Sequence, residues 1–313
     1  IQKVSSGPAL EQAVRPTTLL EVRRLAKLAG VDLRIATETF QHTGSFKFRA
    51  AFNLVNNVPQ SDIITASSGN FGQAVAFACS LLGKRCTIVM PSTSARVKID
   101  SVREYGGTVD LVDVRGKSRQ QRVSELALEK PGAFIASAYD DDYVIEGNAS
   151  LGREISSIGV DFDAVVAPVG GGGLTSGIIM GIRQSRKNIK VFGAEPLLAN
   201  DAARSLKAGR LIKNDNEPQT IADGARTVSL GQRNWRILRD GISGIVEVPE
   251  DQIKEGVRVL FSLANLKVEP TGALAVGALL TNPDLFKGMT VCCVVSGGNV
   301  DPDTYASILK GDQ

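Results

Sequence analysis

Short runs of β-branched and other apolar residues alternate along the chain with stretches whose apolar positions recur at helical spacing. The first kind predicts strands at 33–38, 62–67, 86–91, 109–113, 133–137, 164–169, 190–195 and 290–296. The second predicts helices at 71–82, 95–105, 118–129, 173–186, 251–264 and 271–281. Strands separated by helices, several of them apolar on both faces, predict an α/β fold with parallel-rich sheets flanked by helices. The chain shows no internal repeat, low-complexity tract or Pro/Ser-rich linker, so a domain boundary would be a chain crossing between packed lobes.

Residues 164–182 are uncharged and nearly long enough to span a membrane. Pro168 and four successive glycines, Gly170 to Gly173, break that stretch and predict strand, turn and helix instead. The first residues, IQKVSSGPALEQ, hold no apolar stretch of signal-peptide type. The chain opens on Ile1 rather than Met, so its natural start is expected upstream.

Composition narrows the function. The 313 residues are 43% hydrophobic and 22% charged, which suits a large packed core. The 36 basic and 33 acidic residues are scattered, so no electrostatic footprint for nucleic acid or an anionic membrane is present. A small-molecule partner is expected. Cys79, Cys86, Cys292 and Cys293 have no CxxC spacing and read as reduced core residues of a cytoplasmic protein.

Three predicted strands end in glycine- or serine-rich turns that open a helix: TASSGNFG, APVGGGGLTSG and VVSGGNVD. In open α/β sheets ligands bind at such strand ends, where helix N-termini present free N–H groups. Gly170 to Gly173 let amides converge on an anion without Cβ obstruction, as a phosphate cup. Their spacing fits neither the dinucleotide nor the nucleoside-triphosphate pattern. Lys47, in TGSFKFRAAFN, falls in the first turn of an apolar helix between Phe46 and Phe48. It is either a snorkelling surface lysine or a desolvated one with a lowered pKa, as a Schiff-base lysine needs. His42 is the only histidine and reads as a turn residue, which leaves no Ser-His-Asp, Cys-His or zinc chemistry.

SFKFRA with Lys47, SSGNFGQA (67–74), GGGGL (170–174) and VVSGGNVD (294–301) occur in one order. Together they resemble the fold-type II enzymes dependent on pyridoxal phosphate (PLP), specifically the serine racemase and threonine–serine dehydratase group. The resemblance runs from about Pro16 to the C-terminus. It implies a two-lobed fold like the tryptophan synthase β subunit, with a large PLP-binding domain from 1–55 and 141–313. A small mobile domain would span 56–140, and the assembly would be a homodimer.

The same resemblance implies the site. Lys47, next to Phe46, carries PLP as an aldimine and moves protons at the substrate Cα. Asn70 bonds the cofactor's phenolic oxygen, and Gly170, Gly171, Gly172, Gly173 and Leu174 hold its phosphate. Ser67, Ser68, Gly69 and Asn70 bind the substrate carboxylate. Ser296 faces the pyridine nitrogen, and its neutral hydroxyl makes the ring a weaker electron sink, which favours elimination over transamination. Ser68 matches the second-face serine of serine racemase, or else it caps the following helix. Glu195, the Ala199 carbonyl and Asp201 match a Mg²⁺ or Ca²⁺ site, the alternative being solvated acids.

Two departures bear on the substrate. Phe71 stands where many relatives have histidine, and EGNAS (146–150) replaces AGQGT. With Tyr139 in the stretch facing the cofactor, they put serine itself in doubt as the preferred substrate and admit a bulkier or less polar side chain. The expected reaction is elimination from a β-hydroxy amino acid to a 2-oxo acid and ammonia. Racemisation and β-replacement are the family alternatives, and a non-catalytic PLP-binding protein is the alternative from another class.

Overall fold

The structure is a computed structural model that describes residues 9–94 and 96–311. Most of the N-terminal stretch read for a leader, residues 1–8, lies outside the described residues.

Among the described residues ten strands form two sheets. The larger sheet is ordered β1-β2-β10-β7-β8-β9, from β1 (Thr18–Glu21), β2 (Asp32–Thr37), β10 (Thr290–Val295), β7 (Ala164–Pro168), β8 (Lys190–Pro196) and β9 (Gly244–Val248). The smaller is ordered β5-β4-β3-β6, from β5 (Thr108–Val112), β4 (Arg85–Pro91), β3 (Asp62–Ala66) and β6 (Phe134–Ile135). All pairings are parallel except the edge strand β1, which runs antiparallel on β2.

The apolar runs explain the layering. Strand β10 lies between β2 and β7, with Val291 opposite Leu33 and Ala164. Its side chains alternate between two cores: Val291, Cys293 and Val295 enter one, Cys292 and Val294 the other. A central parallel strand covered on both faces can therefore be continuously apolar. The small sheet repeats this with Ile63 and Ile88 on one side, Ile64 and Val89 on the other. All four cysteines are buried and free. Among the described residues no helix is long and apolar enough to cross a membrane.

The differences from expectation are local. Strand β6 covers only Phe134–Ile135 of the expected 133–137, because the chain then turns into the 137–141 loop. The expected strands omit two short ones: β1, TLLE, which has a single β-branched residue, and β9, GIVEV, which has three in only five positions. The parallel strands β3, β7 and β10 deliver their C-terminal ends to the turns at 67–69, 169–172 and 296–299.

Candidate active site

Lys47 opens the helix Lys47–Asn57, after a turn whose Thr43 and Gly44 both take left-handed backbone conformations. That turn is stitched to the loop after β10: the Phe46 amide donates to the Ser296 carbonyl at 3.0 Å, and the Gly298 amide to the Gly44 carbonyl at 3.0 Å. Two residues on, the fully buried Arg49 donates from Nε to Glu38 at 2.7 Å and from Nη1 to Glu154 at 2.6 Å. This buried network fixes the helix whose first residue is Lys47.

The Lys47 Nζ donates to the Ala138 carbonyl at 2.9 Å and lies 5.0 Å from the Phe46 ring centroid and 5.6 Å from that of Phe71. Desolvation lowers its pKa to about 8, against the opposing pull of the Glu269 carboxylate. The residue keeps part of its surface exposed. It is not a snorkelling surface lysine, because protein encloses the charged end rather than the stem.

Asn70 opens the helix Asn70–Leu81. Its Nδ2 donates to both Glu269 oxygens, at 2.9 and 3.0 Å, and its Oδ1 accepts from Asn299 Nδ2 at 2.8 Å. The Asn299 amide also donates to the Thr43 carbonyl at 2.7 Å, tying the turns of Lys47, Asn70 and Ser296 together. Glu269 is a site residue that the sequence reading missed. It is buried just before Pro270, the first residue of the helix Pro270–Thr281, and burial and Asp223 raise its pKa to about 8. Its signal was a Glu-Pro helix start, which by itself indicates a boundary and no chemistry.

The glycine run follows β7 and opens the helix Gly173–Gln184. Gly172 has φ +90°, which excludes most side chains, and a Cβ on Gly171 would come within 2.3 Å of the Tyr139 ring. Asn234 Nδ2 braces the run by donating to the carbonyls of Gly171 at 2.8 Å and Tyr139 at 2.9 Å. Leu174 is buried in the core behind the run. Packing and backbone conformation thus both demand glycine here, and they leave the amides unobstructed by Cβ atoms.

The serine turn corrects one expectation. The hydroxyl that braces this helix start belongs to Ser67, which accepts from the Gly72 amide at 3.1 Å and the Gly69 amide at 3.4 Å. Gly69, the residue before the helix, carries no side-chain cap, so Ser68 is not the helix cap. Ser68, like Gly69 and Asn70, is half-buried, and a Cβ on Gly69 would meet nothing within 4 Å. The turn is open on that side. Ser296 lies at the end of β10, 1% exposed, and its hydroxyl has no hydrogen-bond partner among the described residues. Such a group is costly unless a ligand completes it.

The acidic pair lies apart, at the end of β8. Glu195 accepts the amides of Ala202 and Ala203 at 2.8 and 2.9 Å, at the start of the helix Asp201–Ala208. Asp201 accepts the Leu230 amide at 2.9 Å and Asn214 Nδ2 at 3.1 Å. Both are buried. Desolvation raises the Glu195 pKa well above its usual range, with repulsion from Asp201 adding, and raises that of Asp201 to about 7. They are not solvated acids. His42 sits in the His42–Gly44 turn against Phe48, with ring centroids 4.8 Å apart.

An enclosed lysine of lowered pKa, a glycine turn whose amides no Cβ obstructs and a buried hydroxyl without a partner among the described residues thus lie at parallel strand ends. The sequence matches the family of pyridoxal-phosphate dependent enzymes over residues 10–297. The chain belongs to this family. It is 35% identical to an L-threo-3-hydroxyaspartate ammonia-lyase of Pseudomonas sp over 312 residues, covering 98% of this chain and 97% of that protein. It is 33% identical to a serine racemase of Dictyostelium discoideum, covering 96% and 94%. Its structure superposes on the crystal structure of a threonine deaminase from T.th. with a TM-score of 0.88 at 37% identity, covering 93% of this chain and 95% of that one. The fold-type II expectation and the serine racemase and dehydratase grouping both hold.

Proposed function

We propose that the protein is a PLP-dependent ammonia-lyase that removes water from a β-hydroxy amino acid and yields a 2-oxo acid and ammonia. Its preferred substrate in this reading is 3-hydroxyaspartate, the compound named for the Pseudomonas relative, which matches over nearly the whole of both chains. The observation that carries the reading is the orphaned Ser296 hydroxyl, enclosed on the same stitched turns as Lys47.

The residues present fit PLP. Lys47 is the covalent anchor, the amides of Gly170 to Leu174 hold the phosphate, Ser296 meets the ring nitrogen and Asn70 the phenolic oxygen. When bound, the cofactor supplies the electron sink that acidifies the substrate Cα–H. A hydroxyl opposite the ring nitrogen does not enforce a positive charge there, which suits rapid loss of a β-substituent. The amides of residues 67–71 orient the substrate carboxylate on the open side of Gly69. Displaced from its covalent bond by the substrate's amino group, Lys47, neutral once its proton is shed near pH 8, would take the Cα proton. Phe46 and Phe71 exclude water around its amine. The β-hydroxyl leaves as water with the proton that Lys47 took from Cα, and hydrolysis of the released enamine yields the 2-oxo acid and ammonia.

Residues 56–140, which contain the whole small sheet and Asn70, act in this reading as a mobile lobe that closes on the substrate. Glu195, the Ala199 carbonyl and Asp201 hold a Mg²⁺ or Ca²⁺ ion that neutralises two buried, mutually repelling carboxylates. A second reading, racemisation, draws support from Ser68 on the open turn and from the Dictyostelium relative. The test is a panel of L- and D-β-hydroxy amino acids incubated with the purified holoenzyme, scoring 2-oxo acid and enantiomer. Rapid enantiomer interconversion without 2-oxo acid would replace the lyase reading with the racemase.

A further inference from the structure

We propose that Lys98 recognises the side-chain carboxylate of a dicarboxylic β-hydroxy amino acid, with Asp223 holding its place in the free protein. The inference deepens the lyase reading and rests on it for the substrate class.

Lys98 lies on the helix Arg96–Glu104, which buries Ile99 and Val102 against the small-sheet lobe. On the same helix Val97 is 58% exposed, whereas the Lys98 side chain keeps only 27%. Solvation alone would place the two the other way round. Lys98 leaves its own lobe and pairs with Asp223 of the other, Nζ to Oδ2 at 3.1 Å. Asp223 begins the turn Asp223–Ala225, which forms one wall of the site. A Cβ on Gly170 of the phosphate turn would lie 3.0 Å from the Ala225 Cα and the Gly224 carbonyl oxygen. On the other side the Gly224 amide donates to Thr271 Oγ1 at 3.0 Å, two residues from Glu269, the partner of Asn70. The ion pair therefore joins the helix of Lys98 to the turn that packs against Gly170 and Thr271.

Charge completes the argument. The Lys98 ammonium acts electrostatically on Glu269 and on Asp301 as well as pairing with Asp223. A substrate with two carboxylates enters a region already rich in carboxylates, so its second one needs a cation. Lys47 is committed to the cofactor. A part-exposed ion pair is weak, so exchange of the Asp223 carboxylate for that of the substrate costs little. Threonine or serine, lacking the second carboxylate, gains nothing from Lys98.

The holoenzyme tests this in wild type, Lys98→Met and Asp223→Asn. Steady-state kinetics would use L-threo-3-hydroxyaspartate and L-threonine, and calorimetry would compare succinate with butyrate, which differ by one carboxylate. Lys98→Met should raise KM for 3-hydroxyaspartate roughly 10- to 100-fold, the weight of one charge-assisted hydrogen bond, and leave KM for threonine unchanged. It should also abolish the preference for succinate over butyrate. Asp223→Asn frees Lys98 and should tighten succinate binding, a gain that a damaged fold would not produce. An equal loss on both substrates, or a succinate preference that survives in Lys98→Met, overturns the proposal and leaves the lyase reading standing. If no β-hydroxy amino acid yields a 2-oxo acid, the lyase reading fails, and the succinate comparison still decides the role of Lys98.

Discussion

Replacing Lys47 by methionine should abolish activity while making the cofactor-free protein more stable at neutral pH. The ammonium is enclosed by protein, beside two aromatic rings, and its pKa falls from 10.5 to about 8. Below pH 8 the group is charged in both the folded and unfolded chains, and the folded state bears the whole desolvation cost. Between pH 8 and 10.5 the folded chain has shed its proton and the unfolded chain has not, so stability rises with pH. Above 10.5 both are neutral and the cost is gone. At about 1.4 kcal/mol per pKa unit the cost at pH 7 is roughly 3 kcal/mol. Methionine keeps the apolar stem and loses the hydrogen bond to the Ala138 carbonyl, worth about 1 kcal/mol, so the net gain is about 2 kcal/mol.

The assay is urea unfolding of cofactor-free wild type and Lys47→Met, at pH 7 and again above pH 10.5. A higher midpoint for the variant at pH 7 that disappears in alkali is the expected result. In parallel, borohydride treatment with PLP should label Lys47 in wild type and nothing at that position in the variant, and 2-oxo acid formation should cease. A variant less stable than wild type at pH 7, or a reduced adduct mapped to another lysine, would refute the reasoning.

Gly171→Ala places a Cβ 2.3 Å from the Tyr139 ring, so overpacking of about 1–3 kcal/mol should loosen the phosphate turn; faster PLP loss on dialysis, followed by absorbance, is the readout. A chelator should lower the melting temperature and Mg²⁺ or Ca²⁺ should restore it by mass action, with the response absent in Asp201→Asn; an unchanged melting temperature after verified metal removal would mean that Glu195 and Asp201 bind no cation. Ser68→Ala should leave stability nearly unchanged, since Ser67 bonds the Gly72 amide, and should retain 2-oxo acid formation. A racemase would instead lose roughly 10²- to 10⁴-fold in interconversion, measured as solvent deuterium at Cα and product chirality.

What could be read from the sequence, and what could not, divides along a physical line. Strands such as β7 and β10 announce themselves because a parallel strand covered on both faces needs an unbroken apolar run, and AVVAP and TVCCVV supply it. The glycine and serine turns that follow them are local backbone features, and a backbone that must present amides to an anion restricts residue type wherever it occurs. Lys47 stayed open between a surface and a buried role on its local setting alone, and only the ordered set of motifs singled it out. Ser67 against Ser68 is a matter of one residue of register, which the motif does not resolve and the hydrogen bond to the Gly72 amide does.

Glu269 and Lys98 belong to the other kind. Each is ordinary in its local setting, one before a proline at a helix start, the other in an amphipathic helix where a lysine reads as solvated. Their chemistry comes from partners far along the chain: Asn70 is 199 residues from Glu269, and Asp223 is 125 residues from Lys98. No local pattern encodes such a pairing, because the energy lies in desolvation and charge that exist only once both lobes are in place. The glycine and serine turns at the strand ends are therefore the legible half of the candidate site. The side chains that would select one substrate from another are the half that needs the structure, and Lys98 is where that selection can be tested.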